Sequence, residues 1–418
     1  MNEGQQRILE KVRNGLNVCI TGGAGTGKSF LIGEISSALR ETRHLAVTAM
    51  TGSAALLIKG TTLHRRLSLR LAKGSASEIA HNISKYRRFT AYYDILELDL
   101  LIIDECSMLN DILFDKVSRV LQILRGNSKP FGGVQVALVG DLYQLPPVEG
   151  QYCFQSSVWP KCNFEICELT QNMRQKDDEP FMEMLKRLRL GRCSREDLAV
   201  LRSLKDTQFS EGIEPTKLYC KNVDVDRINS DALQKIGGQL FTYPTKYTGS
   251  SEASVHYAKA CNVPEQVTMC MGAQVMVTYN YLPAAGLVNG TRGVVTALDQ
   301  KTVTIRLLDG NEEIIPYIKI EQDDDPDVGL DFIPLKLAWA VTIHKSQGMT
   351  LDAIEIDIGS NIFTVGQAYT ALSRARSLKS VRVVDVAARS FCTSRDVIEF
   401  FGEAALLTPQ TTYTSLNL

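Results

Sequence analysis

Short apolar runs alternate with helically spaced apolar positions from the N-terminus to Leu169. Asn17–Thr21, Leu45–Ala49, Leu100–Ile103, Val134–Val139 and Phe164–Leu169 have strand length and little polar alternation. Ser29–Leu39 and Asp111–Leu124 repeat their apolar residues at a period of about 3.6. Strands separated by helices predict βαβ units and a mostly parallel, buried sheet, so the expected fold class is α/β.

A second α/β pattern begins near Gln171. Phe181, Met184, Leu185 and Leu188 share one helical face, and Gly191 follows as a stop signal. Lys217–Cys220 reads as a strand, with a helix after it through Val225 and Ile228. From about Thr245 to Gly329 the texture turns β-rich, and no helix is expected. Gln274–Thr278, Gly293–Ala297, Thr302–Leu307 and Glu313–Pro316 lie between turn signals such as Asn289-Gly290 and Asp309-Gly310. This predicts a small inserted β-barrel that ends in the acidic segment Glu321–Asp327, read as a solvated turn. Alternation then resumes with strands at Leu335–Val341, Ile354–Ile358 and Val381–Val384 and a helix at Gln367–Arg374. The expected domains are a first lobe over 1–170, a second over 171–245 and 330–405, a barrel over 246–329 and a tail over 406–418.

Composition removes several classes. The 418 residues are 44% hydrophobic and 22% charged, enough to bury a core and unlike a disordered, collagenous or coiled-coil chain. No apolar run is long enough to span a bilayer, and Met1-Asn2-Glu3-Gly4-Gln5-Gln6 is not a basic segment leading into an apolar one. Neither a membrane protein nor a secretory precursor is expected. Lys+Arg 46 against Asp+Glu 47 leaves a net charge of -1, which argues neither for nor against nucleic acid. Ten cysteines are too sparse for a disulfide scaffold. Cys162 and Cys167 have metal-like spacing without a second ligand pair, so buried reduced thiols in a reducing compartment are expected.

Gly22-Gly23-Ala24-Gly25-Thr26-Gly27-Lys28-Ser29 fits the phosphate-loop pattern between a predicted strand and a predicted helix. Gly22, Gly25, Thr26 and Gly27 would let backbone N–H groups wrap phosphates at a helix N-terminus. Lys28 would reach the β- and γ-phosphates, and Ser29 would ligate Mg²⁺. Asp104 and Glu105 end another apolar strand. Asp104 suits Mg²⁺ and Glu105 suits activation of a water, a group that a hydrolase needs and a kinase does not. Gln144, just past the strand before Gly140-Asp141, could sense a γ-phosphate; alone, Gly140–Val148 could equally be a proline-stiffened turn. Lys221-Asn222-Val223-Asp224 lacks the guanine-reading order, so GTP has no support.

The segments Asp104–Leu109, Phe114-Asp115-Lys116, Lys129–Gln135, Gly140–Val148, Leu169–Gln175, Gly286–Gly293, Leu337–Gly348 and Gln367–Arg376 together resemble the petite-integration-frequency (PIF) family, in the RecD-like, B-type branch of helicase superfamily one. The matches run in the family's order from about residue 5 to residue 385. Cys106 departs from the branched apolar residue usual there, and the absence of long terminal extensions leads us to expect a bare motor core.

The resemblance implies an ATP- and Mg²⁺-dependent DNA helicase moving 5′-to-3′ on single-stranded DNA, in replication, recombination or repair. It implies two RecA-like lobes that clamp ATP, a wedge insertion at about 65–95 in the first and an SH3-like barrel in the second. Gln5 matches the adenine-contacting glutamine, although alone it reads as a surface residue. Arg174 and Arg374 match two arginine fingers, and Gly348 falls in the family's nucleotide-binding segment. On the DNA strand the match places Thr51 and His64 from the first lobe and Thr342, His344 and Lys345 from the second. Lys59, Arg65, Arg66, Arg70, Lys73, Lys85, Arg87 and Arg88 stand against only Glu78 between positions 59 and 88, with Tyr86 and Phe89 among them. Such a run can be a solvated face, but cations with aromatics also suit phosphate contact and base stacking.

The expected partners are single-stranded and forked or tailed duplex DNA, with G-quadruplex DNA a further candidate, bound by a monomer inside a bacterium, nucleus, mitochondrion or virus-infected cell. Three rivals remain. A small-molecule kinase is opposed by Glu105 and Gln144, and a non-catalytic DNA-binding module by intact Lys28, Asp104 and Glu105. A DNA-dependent translocase that does not separate strands leaves the same residues in place.

Overall fold

Six parallel strands build the first sheet: β1 (Val18–Gly22), β2 (Leu45–Ala49), β3 (Thr61–Thr62), β4 (Leu100–Asp104), β5 (Gln135–Gly140) and β6 (Glu165–Leu169), in the order β3-β2-β4-β5-β1-β6. They belong to a computed structural model that describes residues 1–70, 72–85, 90–171, 178–209, 215–261, 263–279, 287, 291–307, 310–322, 325–351 and 353–402. β1, β4 and β5 are buried throughout, as central parallel strands covered on both faces must be. Alternate residues pack on opposite sides. Val18 and Ile20 join Leu31, Ile32 and Ile35 of the helix Lys28–Leu39, whereas Cys19 joins Phe114, Val117 and Leu121 of the helix Asp111–Arg125. Because the strands are parallel, the loops after β1, β4 and β5 all leave one edge of the sheet, where α/β proteins bind ligands.

Thr216–Tyr219, Ile354–Ile358 and Val381–Val386 form a second parallel set. With the helices Glu179–Arg189 and Gln367–Leu372 they lie in the same compact unit as the first sheet, made of the residues up to Cys220 and from Ile343 on.

Residues 221–342 make a separate unit. It holds the helix Asn222–Ile236 and an antiparallel sheet ordered Glu312–Pro316, Thr302–Leu307, Arg292–Leu298, Gln274–Val277 and Leu335–Leu337. Three expectations need correction here. Ser251–Ala260 is a helix, where none was expected. Its buried positions Ser254 and Ala258 are small, so four-residue spacing carries no hydrophobic signal. The acidic segment is largely strand, because Ile318–Gln322 pairs with Asp325–Phe332. Ile318, Ile320, Leu330 and Phe332 give both arms period-two apolar positions that close around Ala258. Leu335–Val341 divides into Leu335–Leu337 and Ala340–Thr342.

All ten cysteines are free thiols and seven are buried. No described helix is long and apolar enough to cross a membrane.

Candidate functional site

The phosphate loop closes tightly on itself. Gly25 and Gly27 take φ of 81° and 84°, the left-handed region that favours glycine. A Cβ on Gly22 would stand 2.7 Å from both the Leu169 carbonyl oxygen and Thr26 Oγ1. Thr26 Oγ1 donates to the Gly23 carbonyl at 2.9 Å, and Lys28 Nζ donates to the carbonyls of Gly22 and Gly23 at 2.7 and 2.9 Å. Burial lowers the Lys28 pKa, opposed by the charges of Asp141, Glu105 and Asp104. Ser29, the second residue of the helix Lys28–Leu39, is exposed.

Gln5, read from sequence alone as a surface residue, is buried. Asn2 and Gln5 form a capping box at the start of the helix Glu3–Arg13, each side chain accepting the other's backbone N–H. Gln5 Nε2 then lies 2.8 Å from where a Cβ on Gly27 would be, against the phosphate loop.

The acidic pair leaves β4 at the same edge. Asp104 Oδ1 accepts the Glu105 N–H at 2.8 Å. Burial, and then the adjacent Glu105 carboxylate, push the Asp104 pKa up to about 7. Glu105 takes φ 55° and ψ 43°, and its Oε2 accepts a 2.9 Å hydrogen bond from Gln347 Nε2. Gly348 follows at φ 81°, and a Cβ there would stand 3.5 Å from Glu105 Oε1 and 3.6 Å from Ala54 Cα. The turn containing His344 and Lys345 therefore ends on Glu105.

Gln144 is buried beyond β5, its Nε2 3.4 Å from Asp141 Oδ2 and its Oε1 without a hydrogen-bond partner among the described residues. Arg374, which without the family reads as a solvated helix residue, is also buried. Its guanidinium donates to the carbonyls of Thr370 and Met349 and to Ser373 Oγ, all neutral oxygens. Burial lowers its pKa while Glu105 opposes the shift. Arg174 lies outside the described residues, as do Tyr86, Arg87, Arg88 and Phe89 of the basic stretch and all but Leu287 of the segment 286–290.

Thr51 and His64 follow the adjacent parallel strands β2 and β3, so both emerge at the loop-bearing edge. Thr51 Oγ1 accepts the Ala54 N–H of the helix Gly52–Leu57. His64 and Arg65 sit on the helix Leu63–Arg66, capped by Thr62 Oγ1, and Arg66 pairs with Asp94 at 3.1 Å. Burial lowers the pKa of both His64 and His344. Lys345 is exposed, and the His344 ring stacks on the Phe363 ring with centroids 6.4 Å apart. Thr342 is buried and is the last residue of the 221–342 unit.

Four residues at this edge were not singled out from the sequence. Gln347 holds Glu105. Asp141, fully buried, accepts from Arg189 Nε at 3.0 Å and from the Tyr369 hydroxyl at 3.0 Å. The Arg189 guanidinium also lies 4.4 Å over the Tyr143 ring, and its buried Nη2 has no hydrogen-bond partner among the described residues. Gln347, Asp141 and Tyr369 fall inside segments that carry the family resemblance but were given no role, while Arg189 carries no local signal.

This set suits a nucleoside triphosphate. Lys28 supplies a cation on the glycine-rich loop, and Gln144 Oε1 and Arg189 Nη2 are buried polar atoms without a hydrogen-bond partner among the described residues. Asp104 and Ser29 offer hard oxygen donors of the kind Mg²⁺ takes.

Comparison with known proteins agrees. The family model described as PIF1-like helicase matches residues 1–199, and that of the DNA helicase Pif1 2B domain matches 259–298. The human ATP-dependent DNA helicase PIF1 is 38% identical over 396 residues, covering 92% of this chain; the chain spans only 61% of that relative's length. The crystal structure of Pif1 helicase from Candida albicans superimposes with a TM-score of 0.89 at 33% identity, over 96% of this chain and 99% of that one. Bacteroides Pif1 bound to single-stranded DNA gives 0.77 at 30% identity, over 97% of each chain. Likeness at this identity over essentially whole chains is more than shared architecture: the chain belongs to the PIF1-like helicase family.

Proposed function

We propose that the chain is an ATP- and Mg²⁺-dependent motor that translocates 5′-to-3′ along single-stranded DNA and unwinds duplex DNA. The observation that supports this reading is the contact of Gln347 and Gly348 with Glu105, which sets the turn bearing His344 and Lys345 against the acidic pair.

In this reading the loop N–H groups and Lys28 hold the phosphates, Gln5 reads the adenine, and Ser29 with Asp104 holds Mg²⁺. Glu105 accepts the proton of the attacking water, and Gln144 orients that water. Arg374 and Arg174 neutralise charge in the transition state, an effect of about 10³–10⁵ in rate for such fingers. Hydrolysis supplies the free energy for movement. Thr51, His64, Arg65, Arg66, Thr342, His344 and Lys345 hold the strand, and Gly348 lets the second lobe approach Glu105. The domain division is that of two RecA-like lobes, 1–170 and 171–245 with 330–405, a wedge at about 65–95 and an SH3-like barrel at 246–329. The protein acts as a monomer within the cell on single-stranded and forked DNA, with G-quadruplexes a further substrate, in replication, recombination or repair.

The test is ATP-driven unwinding of duplexes bearing a 5′ tail, a 3′ tail or none, with hydrolysis measured alongside. Unwinding from the 5′ tail alone is expected. Equal unwinding from both tails overturns the polarity. Translocation without strand separation would leave a translocase, and hydrolysis indifferent to DNA would overturn the coupled motor.

A further inference from the structure

One phosphate-loop donor is already engaged. The Ala24 N–H donates to the hydroxyl of Tyr369 at 3.1 Å, across 345 positions of sequence. The same hydroxyl donates to Asp141 Oδ2 at 3.0 Å and lies 3.5 Å from where a Cβ on Gly23 would stand. All three groups are buried, and Arg189 holds the other Asp141 oxygen. Burial and the Asp141 charge push the Tyr369 pKa up, so the phenol keeps its proton. Its polarity is therefore settled: it accepts from the loop and donates to the carboxylate.

An N–H has a single hydrogen, so a phosphate oxygen and the Tyr369 oxygen compete for it. Tyr369 sits in the helix Gln367–Leu372, which runs directly into Arg374. Arg374 is bonded to that helix through its backbone N–H on the Ala371 carbonyl and its Nε on the Thr370 carbonyl. Displacing the hydroxyl must therefore disturb the element that positions the guanidinium. We propose that Tyr369 is a nucleotide-sensing positioning residue, whose hydroxyl occupies the Ala24 N–H until a phosphate oxygen takes it and thereby resets the helix to which Arg374 is bonded. This rests on reading Gly22–Ser29 as the phosphate site and Arg374 as the finger.

Tyr369→Phe removes the competing oxygen and keeps the ring. Without DNA, a fluorescent non-hydrolysable ATP analogue should bind the variant about two- to tenfold more tightly, the worth of one net hydrogen bond. KM for ATP should fall together with kcat, a split that simple loss of packing does not produce. Hydrogen exchange over residues 22–28 gives a second reading. In the nucleotide-free protein the variant should exchange faster than wild type, and with the analogue bound the two should match. On the wild-type chain alone, an Ala24 amide unprotected before nucleotide is added would overturn the proposal. So would unchanged or weaker analogue binding by a folded Tyr369→Phe. If neither protein binds the analogue, the ATP reading itself fails, and this proposal with it.

Discussion

Glu105 stands at φ 55° immediately after a buried strand, a conformation that costs a non-glycine residue on the order of 1–3 kcal/mol. From that position its carboxylate accepts the hydrogen bond of Gln347. Glu105→Gln preserves shape and removes the proposed base. It should bind ATP as tightly as wild type while DNA-stimulated hydrolysis falls at least about a hundredfold. Lys28→Ala should instead lose most nucleotide affinity, so a binding isotherm beside a phosphate-release assay separates the two roles. Asp104 makes a pH statement. Its pKa is raised from an ordinary value of about 4 to about 7, so the native protein holds a proton there that the unfolded chain releases. Its contribution to stability is present below pH 4 and is lost as pH rises to 7. Metal–nucleotide affinity should move the opposite way, rising from pH 6 to pH 8 as the carboxylate ionises, and Asp104→Asn should flatten that profile in titrations across the range. The residues proposed for these roles were readable because strand, turn and acid are adjacent in sequence. The burial of Gln5 was half readable, since Asn2-x-x-Gln5 is a capping pattern, but its approach to Gly27 was not.

Among the elements, the helix that carries Tyr369 is held by what its first glycine lacks. Gly366 takes φ 70°, and a Cβ there would collide with the Gln144 carbonyl and stand 2.6 Å from that of Tyr143. Both obstacles are backbone and cannot rotate away. Gly366→Ala should lower the thermal midpoint and hydrolysis together. Gly33→Ala is the counterpart, because nothing lies within 4 Å of a Cβ in that helix interior. It should raise stability by about 0.5–1 kcal/mol in a denaturant titration and leave hydrolysis unchanged. The same contrast explains which elements the sequence revealed. The strands of the first sheet and the helices Lys28–Leu39 and Asp111–Arg125 carry large apolar residues at their own periods. The helix Ser251–Ala260 buries serine and alanine, so its fit to the hairpin Ile318–Phe332 shows only once the hairpin is in place.

For the whole molecule, DNA should act through charge on a chain whose net charge is near zero. Affinity for single-stranded DNA should fall with salt, with a log–log slope of about −0.7 per phosphate engaged. Arg65→Glu should impair unwinding more than hydrolysis if the stretch after Lys59 meets the duplex; equal losses in a paired assay would remove it from that role. The sequence by itself determined the parallel α/β class, the phosphate loop, the acidic pair and the order of the family's motifs. Each of these is written in residues that neighbour one another along the chain, where period and spacing carry the physics. Tertiary structure decided the rest. Gln347 reaches Glu105 across 242 positions, and Tyr369 reaches Asp141 across 228. Arg374 became a buried cation ringed by neutral oxygens and not a solvated one. Such contacts leave no periodic trace, because a hydrogen bond depends on where two atoms finish in space and not on their distance along the chain.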